Sequence, residues 1–328
     1  MNIVYILGNG FDKAQGMATS YPEFYKYLDL EERSALIELL KKEIKSDKEQ
    51  WSDMEEAFGK FSLKIDTEDN FTELYFDLND LLQAYLKSED EAFSPIEDLK
   101  NKFREDFLIT GKYLEEADKI RFNTFTNSVN SNNKEFNVIT FNYTNTLEKL
   151  LTIDTKNSHV EKSFGSNRVL HSIIHVHGSL GEAIIIGVDN ETQIANEILK
   201  QRENVRDLLI KIESNRAMKN LRHDNCESFI KNAHLIILYG VSLGNTDLRW
   251  WTLIGQELKR RNNLAIIQHI YRPNAVLPTR KQLLARIERN HQKKLLQKMG
   301  IKQDEQSKGI AERLFFTVNS SIFNVSSK

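Results

Sequence analysis

Residues 3–12 read IVYILGNGFD, an apolar run that is followed directly by a turn containing two glycines. A short apolar run without polar interruptions is typical of a strand that is covered on both faces. Gly8 and Gly10 permit a tight turn and a close approach of a ligand to the backbone. If a helix follows, its N-terminal N–H groups favour a bound phosphate. This stretch therefore predicts the strand, turn and helix of an α/β fold.

Six further runs of apolar and β-branched residues recur along the chain. They lie at residues 138–141, 173–176, 183–188, 235–239, 264–270 and 314–318. Segments with helical periodicity separate most of them. Strands that alternate with helices predict a mostly parallel sheet with helices on both faces.

The segment from residue 21 to residue 133 contains no comparable apolar run. Its leucines recur at the three-to-four spacing of a helix, as between Leu74 and Leu86. A connection of this length is too long for a simple crossover loop. We therefore predict a helical insertion lobe at residues 21–133, mounted on a Rossmann-type domain that is formed by residues 1–20 and 134–328.

Composition excludes several classes of protein. The 328 residues carry a net charge of −2, which gives no whole-chain signal for binding nucleic acid or a membrane. Cys226 is the only cysteine, so an intramolecular disulfide and a cysteine-rich zinc site are excluded. No apolar run approaches the roughly 18–20 residues that span a bilayer. The first residues lack a basic leader and a cleavage site, so we expect a soluble, cytoplasmic protein.

Charge is unevenly distributed along the sequence. Residues 45–119 carry 21 acidic and 10 basic side chains, whereas residues 200–302 carry 8 acidic and 21 basic ones. These segments are interpreted either as solvated helical faces or as surfaces that attract each other, within one chain or between copies in a homo-oligomer.

Two other predicted strand ends carry side chains suited to catalysis. Asn142, after the strand at 138–141, offers a donor and an acceptor, although asparagine also favours turns. In the sequence HVHGS (175–179), alternation places His175 and His177 on one side. Because no third ligand stands at a recognisable spacing, His177 is predicted to be a general base and no metal is predicted.

A fourth strand end, GVSLGNTD (240–247), repeats the strand, glycine turn and helix. Gly240 and Ser242 are candidates for binding a phosphate or a ribose, and Asp247 is expected to cap the following helix. Asp12 is likewise either a cap or a contact for a ribose hydroxyl. Ligands bind at the carboxyl ends of strands in open α/β sheets, so all four strand ends are predicted to line one cleft.

The motifs together resemble the AbiH family of bacteriophage abortive-infection proteins. They are ILGNGFD (6–12), TSY (19–21), WSDME (51–55), FNYTN (141–145), HGS (177–179) and SLGNTD (242–247). AbiH proteins are in turn similar to the broader SIR2-like group, which implies a Rossmann-like, NAD-binding fold. The resemblance frames residues 6 to about 251, and the last 75 or so residues carry no recognised motif.

The resemblance implies roles for individual residues. Gly8 and Gly10 match the phosphate loop, Asn142 the strand-end asparagine, His177 the catalytic histidine, and Ser242 the Gly-x-Ser turn after a later strand. The residues beside these matches, Asn9, Phe11, Gly240 and Asp247, are also predicted to contact the cofactor. The single cysteine and the pair Phe11-Asp12 depart from sirtuin deacetylases. The implied reaction is therefore cleavage of NAD without an acyl-lysine substrate.

Three functions follow as hypotheses. The first is an NAD+ glycohydrolase in which His177 acts as base, Asn142 orients water or ribose, and Asp12 steadies the cationic ribose. The Gly8 and Gly10 amides would hold the pyrophosphate, and a phage-derived or host activator would release the activity. The second is a nucleotide-binding sensor without turnover.

The third hypothesis is a metal-independent ribonuclease. It rests on Arg216 and His223, whose spacing matches a loose nuclease pattern, and on the basic residues 280–302. Such spacings arise readily in a chain with this many arginines, and a solvated amphipathic helix also explains the basic stretch. Nucleic acid is therefore not the expected partner.

Overall fold

One sheet organises the protein in this computed structural model, which describes residues 1–30, 34–129, 131–154, 159–165, 167–272, 281–302 and 305–323. Its strands within those ranges are β1 (Asn2–Leu7), β2 (Lys134–Thr140), β3 (His159–Ser163), β4 (Arg168–His175), β5 (Leu235–Tyr239), β6 (Ala265–Ile270) and β7 (Leu314–Val318). They lie in the order β3-β4-β2-β1-β5-β6-β7, and all neighbours are parallel except β3 and β4. The predicted α/β, Rossmann-like sheet is confirmed.

Helices connect most of the strands. Those within the described ranges are α1 (Gly10–Ala14), α2 (Tyr21–Leu28), α3 (Ala35–Ser46), α4 (Met54–Phe61), α5 (Glu68–Ala92), α6 (Glu97–Leu108), α7 (Glu116–Val129), α8 (Thr146–Leu151), α9 (Glu203–Leu209), α10 (Lys211–Ala217), α11 (Arg222–Asn232), α12 (Leu248–Arg260), α13 (Lys281–Lys298) and α14 (Glu305–Ala311). None of these helices has the length and apolar character needed to cross a bilayer.

Both faces of the sheet are buried, as the unbroken apolar strands require. Along β1, Tyr5 and Leu7 point into a core shared with α6, α7 and α8. Val4 and Ile6 point the other way, into a core shared with α11, α12, α13 and α14. This alternation follows from the period of two in a strand.

A third core joins the helices that precede α6 to the rest of the chain. It contains α2, α3, α4 and α5 together with α9 and residues 184–188. By contrast, α6 and α7 pack on the sheet. The segment predicted as a helical lobe is thus helical, and its helices divide between two cores. The division of the chain into two domains stays a prediction.

Most of the predicted strands are confirmed, and two details are corrected. The runs at 235–239 and 314–318 match β5 and β7, and those at 3–7, 138–141, 173–176 and 264–270 lie on or beside β1, β2, β4 and β6. The predicted strand at 183–188 is wrong, because this segment forms only one isolated bridge. The edge strand β3, whose sequence HVEKS is mostly polar, was not predicted.

The segment 183–188 is apolar because it is buried among helices. Ile184, Ile186 and Val188 pack in the third core. Side chains donate hydrogen bonds to two of its backbone carbonyl groups. Asn79 Nδ2 donates to the Ile184 carbonyl at 2.9 Å, and the Tyr143 hydroxyl donates to the Ile185 carbonyl at 3.0 Å. Apolar periodicity alone does not distinguish such a segment from a buried strand.

The hydrogen bond from Tyr143 gives a direct test of this packing. Tyr143→Phe leaves the buried Ile185 carbonyl without that donor, so we expect the free energy of unfolding to fall by about 1–3 kcal/mol in urea denaturation. The control is Tyr27→Phe, which lies in the same core with a hydroxyl that has no partner within the described ranges. The control should change stability by less than about 0.5 kcal/mol. Equal effects of the two variants would contradict this account.

Candidate functional site

A cleft of about 410 Å³ opens at the carboxyl ends of β1, β2, β4 and β5. This volume lies within the roughly 300–1,000 Å³ that is usual for small-molecule sites. Eight residues predicted from the sequence line it: Gly8, Asn9, Asp12, Asn142, His177, Gly240, Ser242 and Asp247. The structure therefore brings together residues from four separate strand ends, as the topology of a parallel sheet requires.

Phe11 and Gly10 lie outside this lining. The Phe11 side chain is 1% exposed and packs edge-on against Phe103 and Tyr239, with ring centroids 5.8 and 6.2 Å away. Its side chain is part of the sheet core. Phe11 was predicted to bind a nucleotide, but only its backbone lies near the turn at Gly240.

The glycines at the base of the cleft are explained by contact between two turns. A Cβ atom on Gly10 would lie 2.6 Å from the Gly240 Cα, and one on Gly8 would lie 2.7 Å from the Gly240 carbonyl oxygen. Gly240 itself has a φ of +69°, where side chains are strained. These positions require glycine whether or not a ligand is bound.

The same contact corrects the role predicted for two amides. The Gly8 N–H donates to the Tyr239 carbonyl at 3.0 Å, and the Gly10 N–H donates to the Gly240 carbonyl at 3.0 Å. Since both donors are used within the protein, neither is free to hold a pyrophosphate. The contribution of these glycines is to bring the first turn and the later turn together.

Asp12 lies beneath the cleft and orients Asn142. Its carboxylate accepts from Asn142 Nδ2 at 3.0 Å and from the Thr144 hydroxyl at 2.6 Å. Burial raises the pKa of Asp12 to about 6, and these hydrogen bonds only partly offset that effect. Asp12 therefore neither caps α1 nor stands free for a ribose. Asn142 keeps a buried Oδ1 that has no partner within the described residues.

His177 and Asp247 form a pair inside the cleft. His177 Nε2 lies 2.9 Å from Asp247 Oδ1, and the ring packs against Phe141 with centroids 5.3 Å apart. Asp247 stands at the N-cap position of α12, as predicted, but its side chain makes no capping hydrogen bond there. An ionised Asp247 only accepts, so Nε2 carries the proton. The other nitrogen, Nδ1, is buried and lacks a partner in the part of the chain described.

Lys211 completes a buried network that the sequence did not reveal. Its ammonium group, on a side chain 4% exposed, contacts Asp247 Oδ1 at 2.9 Å, Glu55 Oε2 at 2.8 Å and the Thr246 carbonyl at 3.1 Å. The ammonium therefore uses three acceptors for its three N–H donors. Despite burial, the two carboxylates hold the pKa of Lys211 above its usual value.

Sequence reasoning missed Glu55 and Lys211 for different reasons. Glu55 ends the motif WSDME at 51–55, but that motif carried no chemical role. Lys211 lies at the start of the short helix α10, and no motif contains it. Its backbone N–H donates to the Val188 carbonyl at 3.1 Å. This tertiary contact, which the local sequence does not indicate, helps to place the Lys211 side chain under the cleft.

His175 is held away from His177 by other partners. Its Nδ1 lies 2.7 Å from the Asn142 carbonyl and its Nε2 lies 2.8 Å from Glu148 Oε1. Burial opposes protonation, yet the Glu148 carboxylate raises the pKa of His175 overall. No group of three or more potential metal ligands occurs among the residues described.

The residues of the ribonuclease hypothesis are not at the cleft. His223 is 7% exposed with its ring 4.9 Å from that of Trp250, and burial lowers its pKa to about 3. Arg216, on α10, is exposed. In the basic stretch 280–302, residue 280 lies outside the described residues, and Lys281–Lys298 forms α13.

Comparison with known proteins found a matching family model. A family model described as "Bacteriophage abortive infection AbiH" matches residues 4–269, which include every residue of the cleft lining. A search of curated proteins found no match.

The contact between the two turns predicts unequal tolerance of side chains around the cleft. Gly10→Ala places a Cβ 2.6 Å from backbone, so thermal or urea unfolding should show a loss of about 1–3 kcal/mol. Gly244→Ala is the control, because its Cβ would meet its nearest neighbour at 3.5 Å. The control should change stability by about 0.5 kcal/mol or less. A fully stable Gly10→Ala variant would show that the turns do not pack in this way.

Proposed function

The chain belongs to the AbiH family, with a role in phage abortive infection, and we propose that it performs this role by hydrolysing the nicotinamide–ribose bond of NAD+ or of a related nucleotide. The observation that carries the proposal is the His177–Asp247 pair, which lies in the cleft beside Asn142. A neutral histidine with one nitrogen fixed by a carboxylate is suited to act as a general base.

The charge of the cleft supports cleavage at a ribosyl carbon. The carboxyl groups of Asp12, Asp53, Glu55 and Asp247 belong to its lining, whereas no lysine or arginine does among the described residues. Hydrolysis of an N-ribosyl bond develops positive charge on the ribose, as glycoside hydrolysis does. Lys211 pairs with Glu55 and Asp247, so Asp12 and Asp53 are the lining carboxylates that face this charge without a lysine partner in the described part of the chain. A carboxylate fixed near that charge stabilises the transition state more than the ground state.

The proposed reaction needs one base and no acid. A water oxygen forms a bond to the ribose C1′ while the bond from C1′ to the nicotinamide nitrogen breaks. The bonding electron pair moves to the ring nitrogen, so the pyridinium leaves as neutral nicotinamide without being protonated. The water proton goes to His177 Nδ1, the nitrogen that lacks a partner in the described structure.

Asn142 and the rim of the cleft would position the substrate. The free Oδ1 of Asn142 accepts a hydrogen bond from the water or from a ribose hydroxyl. Because the Gly8 and Gly10 amides are occupied and the Ser20 hydroxyl donates to Glu23, the hydroxyls of Ser52 and Ser242, which line the cleft, are candidate donors for the phosphates. An enzyme that consumes NAD harms its own cell, so a phage-derived or host activator would control it.

The proposal predicts a loss of turnover when His177 is removed. Protein would be isolated from infected and from uninfected cells and supplied with NAD+, and nicotinamide release would be measured. Wild type from infected cells should release nicotinamide, and His177→Ala should be about 10²–10⁴-fold slower because the general base is absent.

The matched control is His171→Ala, which lies on β4 with a side chain 35% exposed and does not line the cleft. It should retain turnover. No nicotinamide from wild-type protein of infected cells, or equal release by His177→Ala, would overturn the proposal. Thermal stabilisation by NAD+ without product would indicate a sensor instead.

A further inference from the structure

A single carboxylate oxygen is shared by a lysine and a histidine beneath the cleft. Lys211 Nζ and His177 Nε2 each lie 2.9 Å from Asp247 Oδ1. The three side chains come from α10, from the residues after β4 and from the 3₁₀ turn Asn245–Asp247. The side chains of His177 and Lys211 are buried and that of Asp247 is 15% exposed, so solvent screens their charges little.

We propose that Lys211, held in place by Glu55, is a positioning residue that keeps His177 neutral, with Nε2 protonated and the Nδ1 lone pair free. This inference rests on the proposed function, since a general base must be unprotonated before it acts. Lys211 acts through Asp247 and does not itself line the cleft.

The electrostatic reason is competition for Asp247. A carboxylate alone beside a buried histidine favours the doubly protonated imidazolium. With the Lys211 ammonium on the same oxygen, Asp247 is already paired, and a second cation there is repelled. Burial and Lys211 accordingly lower the pKa of His177, although Asp247 raises it.

Two further groups face His177 from α11. Arg222 adds a second positive charge that disfavours protonation of His177. His223 is itself held neutral by burial. Among these groups only Asp247 favours the imidazolium, and burial and Lys211 both oppose it.

Glu55 supplies the contact that fixes the lysine. The backbone of Lys211 is anchored by Val188 and by Asn215 Nδ2, which donates to the Lys211 carbonyl at 2.9 Å. Glu55, on α4, then accepts a hydrogen bond from the Lys211 ammonium through Oε2. Burial raises the pKa of Glu55 to about 7, and the nearby lysine opposes that rise. The network thus joins the helical segment between β1 and β2 to the proposed general base.

The test is a titration of His177 by nitrogen-15 NMR of histidine-labelled protein, with the His177 signals assigned by loss in His177→Gln. The shifts of the two ring nitrogens distinguish the Nε2–H form from the imidazolium. Wild type should show the Nε2–H form at pH 7. Lys211→Met should raise the pH midpoint of His177 by about 1–3 units, because Asp247 is no longer offset.

A second variant keeps the test valid if Lys211→Met does not fold. Glu55→Gln combined with Lys211→Met removes both a buried cation and a buried anion, and it should show the same upward shift. The matched control is Glu56→Gln combined with Lys60→Met, which removes a more exposed ion pair of 2.9 Å from the same helix and should leave the His177 titration unchanged.

The outcomes separate this inference from the proposed function. An unchanged His177 midpoint in the folded Lys211 variants overturns the positioning role, whatever the enzyme does. An upward shift supports it even if wild-type protein releases no nicotinamide, a result that would instead refute the proposed reaction. Where wild type is active, the Lys211 variants should need a higher pH for half-maximal kcat.

Discussion

The structure depends on the direct contact of two backbone turns, one after β1 and one after β5. Gly10 donates to the Gly240 carbonyl, and no Cβ atom fits at Gly8, Gly10 or Gly240. Because the two turns touch without side chains, the central strands end at the same level. Asp12 then lies beneath the cleft, and the chain from Gly240 delivers Asp247 to His177. The glycines that resemble a phosphate loop in the sequence are therefore needed for the two turns to pack and form the cleft.

A buried charge network is the second consequence of that geometry. Isolated charges in such a place would be costly, and they are tolerated when each finds partners. Asp247 accepts from both His177 and Lys211, and Lys211 also binds Glu55 and a backbone carbonyl. The acidic lining of the cleft and the His177–Asp247 pair are therefore two results of one arrangement.

Sequence reasoning found what depends on local pattern. The apolar runs predicted the parallel strands, and the ends of those strands predicted that Asp12, Asn142, His177 and Asp247 would meet. It failed where long-range packing decides. Residues 183–188 look like a strand but are buried among helices, and the partnership of Lys211 with Glu55 spans 156 positions without a motif. The sequence around Asp247 predicted that its side chain caps α12, but the side chain instead binds His177, which is distant in the sequence.

The central claim is that this protein answers phage by consuming NAD through His177. The most direct measurement is the cellular NAD content of cells that express wild type or His177→Ala, before and during phage challenge. The account predicts that NAD falls only in challenged cells with wild type, and that His177→Ala abolishes both the fall and the protection. Protection by wild type while NAD stays level would contradict it.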